Sequence, residues 1–163
     1  MIELNLQKTK QNGRTRRTYE TPVYRVALVE ERTIAVPKKK ICSPEDAARI
    51  VGEFLRGVDR EHFVGLYLDS ANQLICIHPV SVGTLNASLV HPREVFKLAC
   101  IVSAAAVIVA HNHPSGNAEP SREDISVTKQ LVEAGKILDI PIHDHLIVTE
   151  HNGFMSFAER GLT

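Results

Sequence analysis

The stretch that most limits what this chain can fold into runs from Ala104 to Gly116. An apolar run, Ala104 to Ala110, stops abruptly at His111-Asn112-His113-Pro114-Ser115-Gly116. Side chains at i and i+2 point to one side of an extended backbone, so a short strand here delivers two imidazoles to one point. Ten residues separate His113 from Asp124, which stands three places into a helical pattern opened by Ser121. That placement carries its carboxylate back toward the strand end. Two nitrogens and one oxygen form a three-ligand set. A structural zinc site usually closes with four protein ligands, whereas a catalytic one keeps three and leaves the fourth position to water. Cys42, Cys76 and Cys100 stand singly, with no Cys-x-x-Cys pair, so a cysteine-rich site of the zinc-finger or zinc-deaminase kind is excluded.

Each of these residues also has a plainer reading. Ser121-x-x-Asp124 is how a helix cap is written, and a lone histidine at a strand end is most often just a polar residue. A capping acid explains nothing about two histidines set between a buried run and a Pro-Ser-Gly loop, so the metal reading is favoured. Zinc suits two imidazoles and a carboxylate, as do other divalent ions of similar size. Capping by Ser121 and ligation by Asp124 are compatible.

Taken in order, the chain starts polar: Met1 to Thr21 shows no periodicity and is expected to have little fixed structure. Val23 to Val36 alternates and reads as one or two strands. Ser43-Pro44-Glu45-Asp46 is a helix start, followed by an apolar stripe of Ala47, Ile50, Val51, Phe54 and Leu55. Glu61 to Leu68 and Leu74 to Val82 read as a hairpin, with Gly83 to Ser88 as loop. Pro92 opens a second helix to about Ala104, Ala106 to Ala110 is a core strand, and Ser121 to Leu138 is a third helix. Ile140 to Thr149 reads as a strand, His151-Asn152-Gly153 as a turn, and Met155 to Arg160 as a last short helix closed by Gly161. The expected architecture is α/β, a mixed central sheet flanked by helices in a single domain.

At 163 residues, 44% apolar and 23% charged, the chain is long enough to bury a core unaided. No apolar run approaches the roughly 20 residues that span a bilayer, so no membrane partner is expected. The amino terminus lacks the pattern of a secretory signal, which makes the cytoplasm the default location. Three unpatterned cysteines fit buried thiols in a reducing compartment. The zero net charge hides an asymmetry: residues 1–40 carry ten Lys or Arg against four Glu, and residues 41–163 carry nine against fifteen acids. A basic arm of this kind suits nucleic acid, although a solvated, partly disordered tail is the blander reading.

The combined pattern, His-x-His-Pro-Ser-Gly and then Ser-x-x-Asp with ten residues between the second His and the Asp, resembles the JAMM signature of the JAB/MPN metalloprotease superfamily. The form His-Asn-His-Pro-Ser-Gly, with Pro92-Arg93-Glu94-Val95-Phe96 upstream and Asp144-His145-Leu146-Ile147-Val148 downstream, is similar to the RadC branch and covers roughly residues 41–163. The resemblance implies an MPN-type domain over 41–163 behind a basic arm, 1–40. It further implies a zinc-dependent hydrolase acting on a peptide or isopeptide in a protein substrate. His111, His113 and Asp124 would hold Zn2+, Glu61 would serve as base, and Ser121 would support the oxyanion.

Glu53, Asp59 and Glu94 are rival bases, and His143-Asp144-His145 is a rival histidine pair without a downstream acid, expected near the site in a supporting or structural role. Arg93 and Asn112 are left between orienting the site and orienting its substrate; His62, His78, His91 and His151 read as surface or loop residues. Proteins of the RadC type also carry a DNA-repair label, and their longer members have an amino-terminal helix-hairpin-helix region that a chain of this length is not expected to contain. The alternatives are thus a nucleic-acid-associated protein using residues 1–40, and a metal-binding scaffold without turnover.

Overall fold

A computed structural model of the chain describes residues 6–11, 14–19, 21–83, 90–149 and 153–163. Two units are distinguished, Met1–Thr33 and Ile34–Thr163. In the first, β1 (Leu6–Gln11) pairs antiparallel with β2 (Arg14–Tyr19), Lys8 opposite Arg17 and Thr9 opposite Arg16. Val23 to Val36, expected as strand, forms none, and its Val23, Tyr24, Val26 and Val29 are exposed.

The second unit begins with α1 (Pro44–Phe54), capped by the Ser43 side chain, which accepts from the Asp46 N–H. Then come β3 (His62–Leu68), β4 (Leu74–Val82) and α2 (Pro92–Ile101). β5 (Ala106–Asn112), α3 (Arg122–Leu138), β6 (Ile142–Val148) and β7 (Phe154–Ser156) complete the order. The sheet runs β4-β3-β5-β6-β7. Only the β5–β6 pair is parallel, as a strand–helix–strand crossover through α3 requires; the others are antiparallel.

Alternation along the strands splits the core between the two faces of the sheet. Val64, Leu66, Ile108, Ala110 and Leu146 pack with Ala47, Ile50 and Val51 of α1. Phe63, Tyr67, Val107 and Val109 pack with Val95, Phe96 and Ala99 of α2 and with Val127 and Leu131 of α3. β5 is buried from Ala106 to His111, the all-apolar pattern of a strand covered on both sides. The imidazoles continue the α2–α3 face.

Several expectations are corrected here. Met155 to Arg160 is not a helix: Leu146 pairs with Ser156 and Ile147 with Met155, and the Phe157 N–H reaches the His145 carbonyl at 3.0 Å. Long-range pairing with a buried strand outweighs the local helical pattern there. α2 stops at Ile101 because Ser103 turns to φ 53° and the Ala104 N–H bonds back to the Ala99 carbonyl at 2.9 Å. Cys42 and Cys100 are exposed and Cys76 is half-buried, so the expected buried thiols are not found. The loop from Thr84 and the turn at His151-Asn152 lie outside the described residues. Among the described residues, no helix is long and apolar enough to cross a membrane.

Candidate metal centre

His111 and His113 point to the same side of the β5 end, and their Nε2 atoms lie 3.0 Å apart. His111 is fully buried; His113, one step past the strand, keeps part of its surface open. The His113 N–H donates to the Val148 carbonyl at 2.9 Å, prolonging the β5–β6 pairing. The chain then reverses through Pro114 and Ser115, with the Gly116 N–H on the His113 carbonyl at 3.0 Å and Gly116 at φ 79°. That turn brings the Asn117 carbonyl to 2.6 Å from His113 Nδ1. A carbonyl only accepts, so His113 carries a proton on Nδ1, and in the neutral ring Nε2 is a lone pair facing His111.

Asp124 arrives by the route expected, on the first turn of α3. Ser121 and Asp124 form a complete capping box: Ser121 Oγ accepts from the Asp124 N–H at 3.0 Å, and Asp124 Oδ2 accepts from the Ser121 N–H at 2.7 Å. The Ser121 hydroxyl also donates to Asp124 Oδ2 at 2.6 Å. The other oxygen, Oδ1, faces His111 Nε2 at 3.4 Å, and Oδ2 is 3.8 Å from His113 Nε2. Cap and cluster therefore share one carboxylate.

Glu61 precedes β3. The ladder pairs Phe63 with His111, so two residues back along β3 falls opposite two residues on from His111. Glu61 Oε1 lies 3.8 Å from His113 Nε2 and 4.0 Å from His111 Nε2. Asn112 points to the other side and clamps the neighbours of Glu61: its Oδ1 accepts from the His62 N–H at 2.8 Å, and its Nδ2 donates to the Arg60 carbonyl at 3.0 Å.

Behind His111, on the protein side, stands His145, also fully buried, stacked on Phe157 at 4.4 Å with Phe63 edge-on at 5.4 Å. His145 Nε2 is 2.9 Å from His111 Nδ1, and His145 Nδ1 is 2.6 Å from Thr128 Oγ1. Burial is the main cause pushing the His111 pKa down to about 4, with Asp124 opposing it and His113 assisting; burial and the two neighbouring imidazoles push His145 down as well. Both rings are held neutral, the form that ligates metal.

The donors fit a small divalent cation. Zinc bonded at about 2.0–2.1 Å in a tetrahedron puts its ligands about 3.3–3.4 Å apart, close to the 3.0 Å between the two Nε2 atoms and the 3.4 Å from His111 Nε2 to Asp124 Oδ1, whereas the 3.8 Å from His113 Nε2 runs to the other oxygen, Oδ2. Among the described residues, the group whose ligand atoms all lie within 4.8 Å of one another is Glu61, His111 and His113, and it does not include Asp124. Of the two acids, Asp124 is the nearer to His111 and is almost fully buried, whereas the Glu61 side chain is 20% exposed.

The rival bases are taken up elsewhere: Glu53 pairs with Arg56, Asp59 with Arg60, and Glu94 with Lys97 and Arg93. His143 is exposed while His145 is buried, so the second His-x-His does not converge. Asp144 accepts from the Ser156 hydroxyl at 2.6 Å and the Ala158 N–H at 3.0 Å, holding the turn after β7. His91 caps α2, its Nδ1 accepting from the Arg93 N–H. Thr128 was not anticipated, and its only sequence signal is the i+4 spacing from Asp124 on one helix face. A groove of about 960 Å³ is lined by Arg49, Arg56, Asn112, Val148 and Phe154 among others. It lies on the α1 face, across the sheet from the imidazoles.

A five-stranded mixed sheet with a parallel crossover, and a His-x-His strand end facing a capped acidic helix, define a protein of the JAB/MPN class. A family model described as a RadC-like JAB domain matches residues 41–162, and the chain belongs to that family. It is similar to a UPF0758 protein of Methanosarcina acetivorans, 46% identical over 149 residues, covering 91% of this chain and 65% of that relative. It also resembles a UPF0758 protein of Shouchella clausii, 53% identical over 131 residues, covering 80% of this chain and 56% of the relative. The matched stretch thus spans less than two thirds of either relative's own length.

Proposed function

We propose that this chain is a metal-dependent hydrolase of the JAMM type that opens a peptide or isopeptide amide, with zinc held by His111, His113 and Asp124. The observation that carries the reading is the pair of Nε2 atoms 3.0 Å apart with Asp124 Oδ1 3.4 Å from one of them. Nitrogen lone pairs and carboxylate oxygens converging in a largely buried spot call for a positive charge. Zinc bound there polarises a carbonyl and brings the pKa of a water from about 15.7 to about 7.

The chain's own groups divide the remaining work. Glu61, on the more open side, takes the proton of the attacking water and returns it to the departing amine nitrogen. Ser121 serves the oxyanion: its hydroxyl turns from Asp124 Oδ2 toward the carbonyl oxygen as charge develops there. Asp124 keeps its bond from the Ser121 N–H during that turn. Asn112 fixes the backbone on both sides of Glu61, so the carboxylate meets substrate without a search.

The test is elemental analysis of protein purified without chelators, together with hydrolysis of a panel of fluorogenic peptide and isopeptide amides. Near-stoichiometric zinc is expected. Glu61→Ala should keep the zinc and lose turnover, and His111→Ala should lose both. Absence of zinc from the gently purified protein overturns the reading, and equal zinc loss from the two variants overturns the assigned roles.

A further inference from the structure

The cluster is joined to two fully buried residues that bind nothing themselves, Thr128 and His145, each 0% exposed. Their hydrogen bonds run in a line. Thr128 Oγ1 donates to the Asp124 carbonyl at 2.7 Å and sits 2.6 Å from His145 Nδ1; His145 Nε2 sits 2.9 Å from His111 Nδ1. A line of this kind runs in one of two directions: Thr128 at its far end favours one, and His113 Nε2 and Asp124 Oδ1, acceptors 3.0 and 3.4 Å from His111 Nε2, favour the other until a cation takes the proton's place.

A hydroxyl has one proton and a carbonyl only accepts. With the Thr128 proton on the Asp124 carbonyl, the usual back-bond of a helical threonine to residue i−4, Oγ1 meets His145 as an acceptor. His145 then carries its proton on Nδ1, and its Nε2 accepts. His111 must in turn donate from Nδ1, which leaves His111 Nε2 as a lone pair toward His113 and Asp124. The opposite direction ends with a proton on His111 Nε2, the one atom of that ring that faces the cluster. Both rings stay neutral in either case; only the tautomers differ.

We propose that Thr128 and His145 are positioning residues that hold His111 in its metal-ready tautomer. The inference rests on the metallohydrolase reading for its purpose, and on the hydrogen-bond line alone for its geometry. Through His145, one hydroxyl on α3 sets which nitrogen of His111 is bare. Thr128→Val removes that hydroxyl with little change of shape and leaves the Nδ1 proton of His145 as a buried donor without an acceptor. The pair then relaxes to the other direction, and His111 presents N–H where the cation belongs.

Two measurements test this. In long-range proton–nitrogen NMR of the zinc-loaded protein, His145 and His111 should both carry the proton on Nδ1. In chelator competition, Thr128→Val should bind zinc about 10- to 100-fold more weakly than the parent, and Thr128→Ser should restore the parent value. A zinc-loaded parent with His145 protonated on Nε2, or a Thr128→Val with unchanged zinc affinity, overturns the proposal. If the tautomers and the zinc affinities come out as stated and the zinc-loaded parent hydrolyses no amide, the relay is supported and the metallohydrolase reading fails.

Discussion

Asn112 sits between the two histidines in sequence, yet its amide reaches across to β3 and holds the residues on either side of Glu61. Truncating it should leave the proposed zinc ligands alone and loosen the proposed base. Asn112→Ala is expected to lower kcat by about 10- to 100-fold, since a misplacement on the order of 1 Å is enough for that, while zinc content stays at the parent level and stability falls by about 1 kcal/mol. Turnover kinetics paired with elemental analysis check it. At this scale the approach of His111, His113 and Asp124 to one another was legible because each position follows from a local rule, the period of a strand or the first turn of a helix. Glu61 was reached only through family resemblance, because an antiparallel register brings it to the site. The partners of Asn112 are 50 and 52 residues away and Thr128 is 17 from His145; no periodicity announces such bonds.

Among the elements, α1 shows how a well-marked helix start also carries a pH response. Asp46 Oδ2 accepts from the Cys42 N–H and from Lys38, each at 3.0 Å, and Oδ1 accepts from Arg49 at 3.0 Å. The Cys42 N–H, then Lys38, hold its carboxyl below the usual range. A carboxyl depressed in the folded state stabilises the fold above its unfolded pKa, about 3.9, and loses that contribution as pH falls through the folded value. Asp46→Asn should therefore be less stable than the parent at pH 7, with the gap closing as the pH drops below about 4 in a series of urea titrations. The Ser-Pro-Glu-Asp start was readable because caps are local. β1 and β2 were overlooked although Asn12-Gly13, a favoured hairpin dipeptide, stands between them, because the flanking residues are polar rather than alternating. β7 was mistaken for a helix because its partner strand lies elsewhere in the chain.

For the molecule as a whole, the proposed ligands come from the end of β5 and from α3, and the proposed base from the approach to β3, so the cluster exists only when the crossover is folded. A cation that binds the folded chain and not the unfolded one stabilises it by mass action, about 2.7 kcal/mol when free zinc stands at 100 times its Kd. In a chain of 163 residues, each kcal/mol shifts Tm by about 2–4 °C, so zinc should raise Tm by about 5–10 °C over chelator-treated protein. The variants separate the contributions. Glu61→Ala should keep the shift, because its carboxylate stands at 3.8 and 4.0 Å from the imidazole nitrogens and is assigned to the proton. His111→Ala should abolish it. Calorimetric scans with and without zinc for the three proteins decide the matter: a shift that survives His111→Ala would mean that the cation is held somewhere other than at the end of β5.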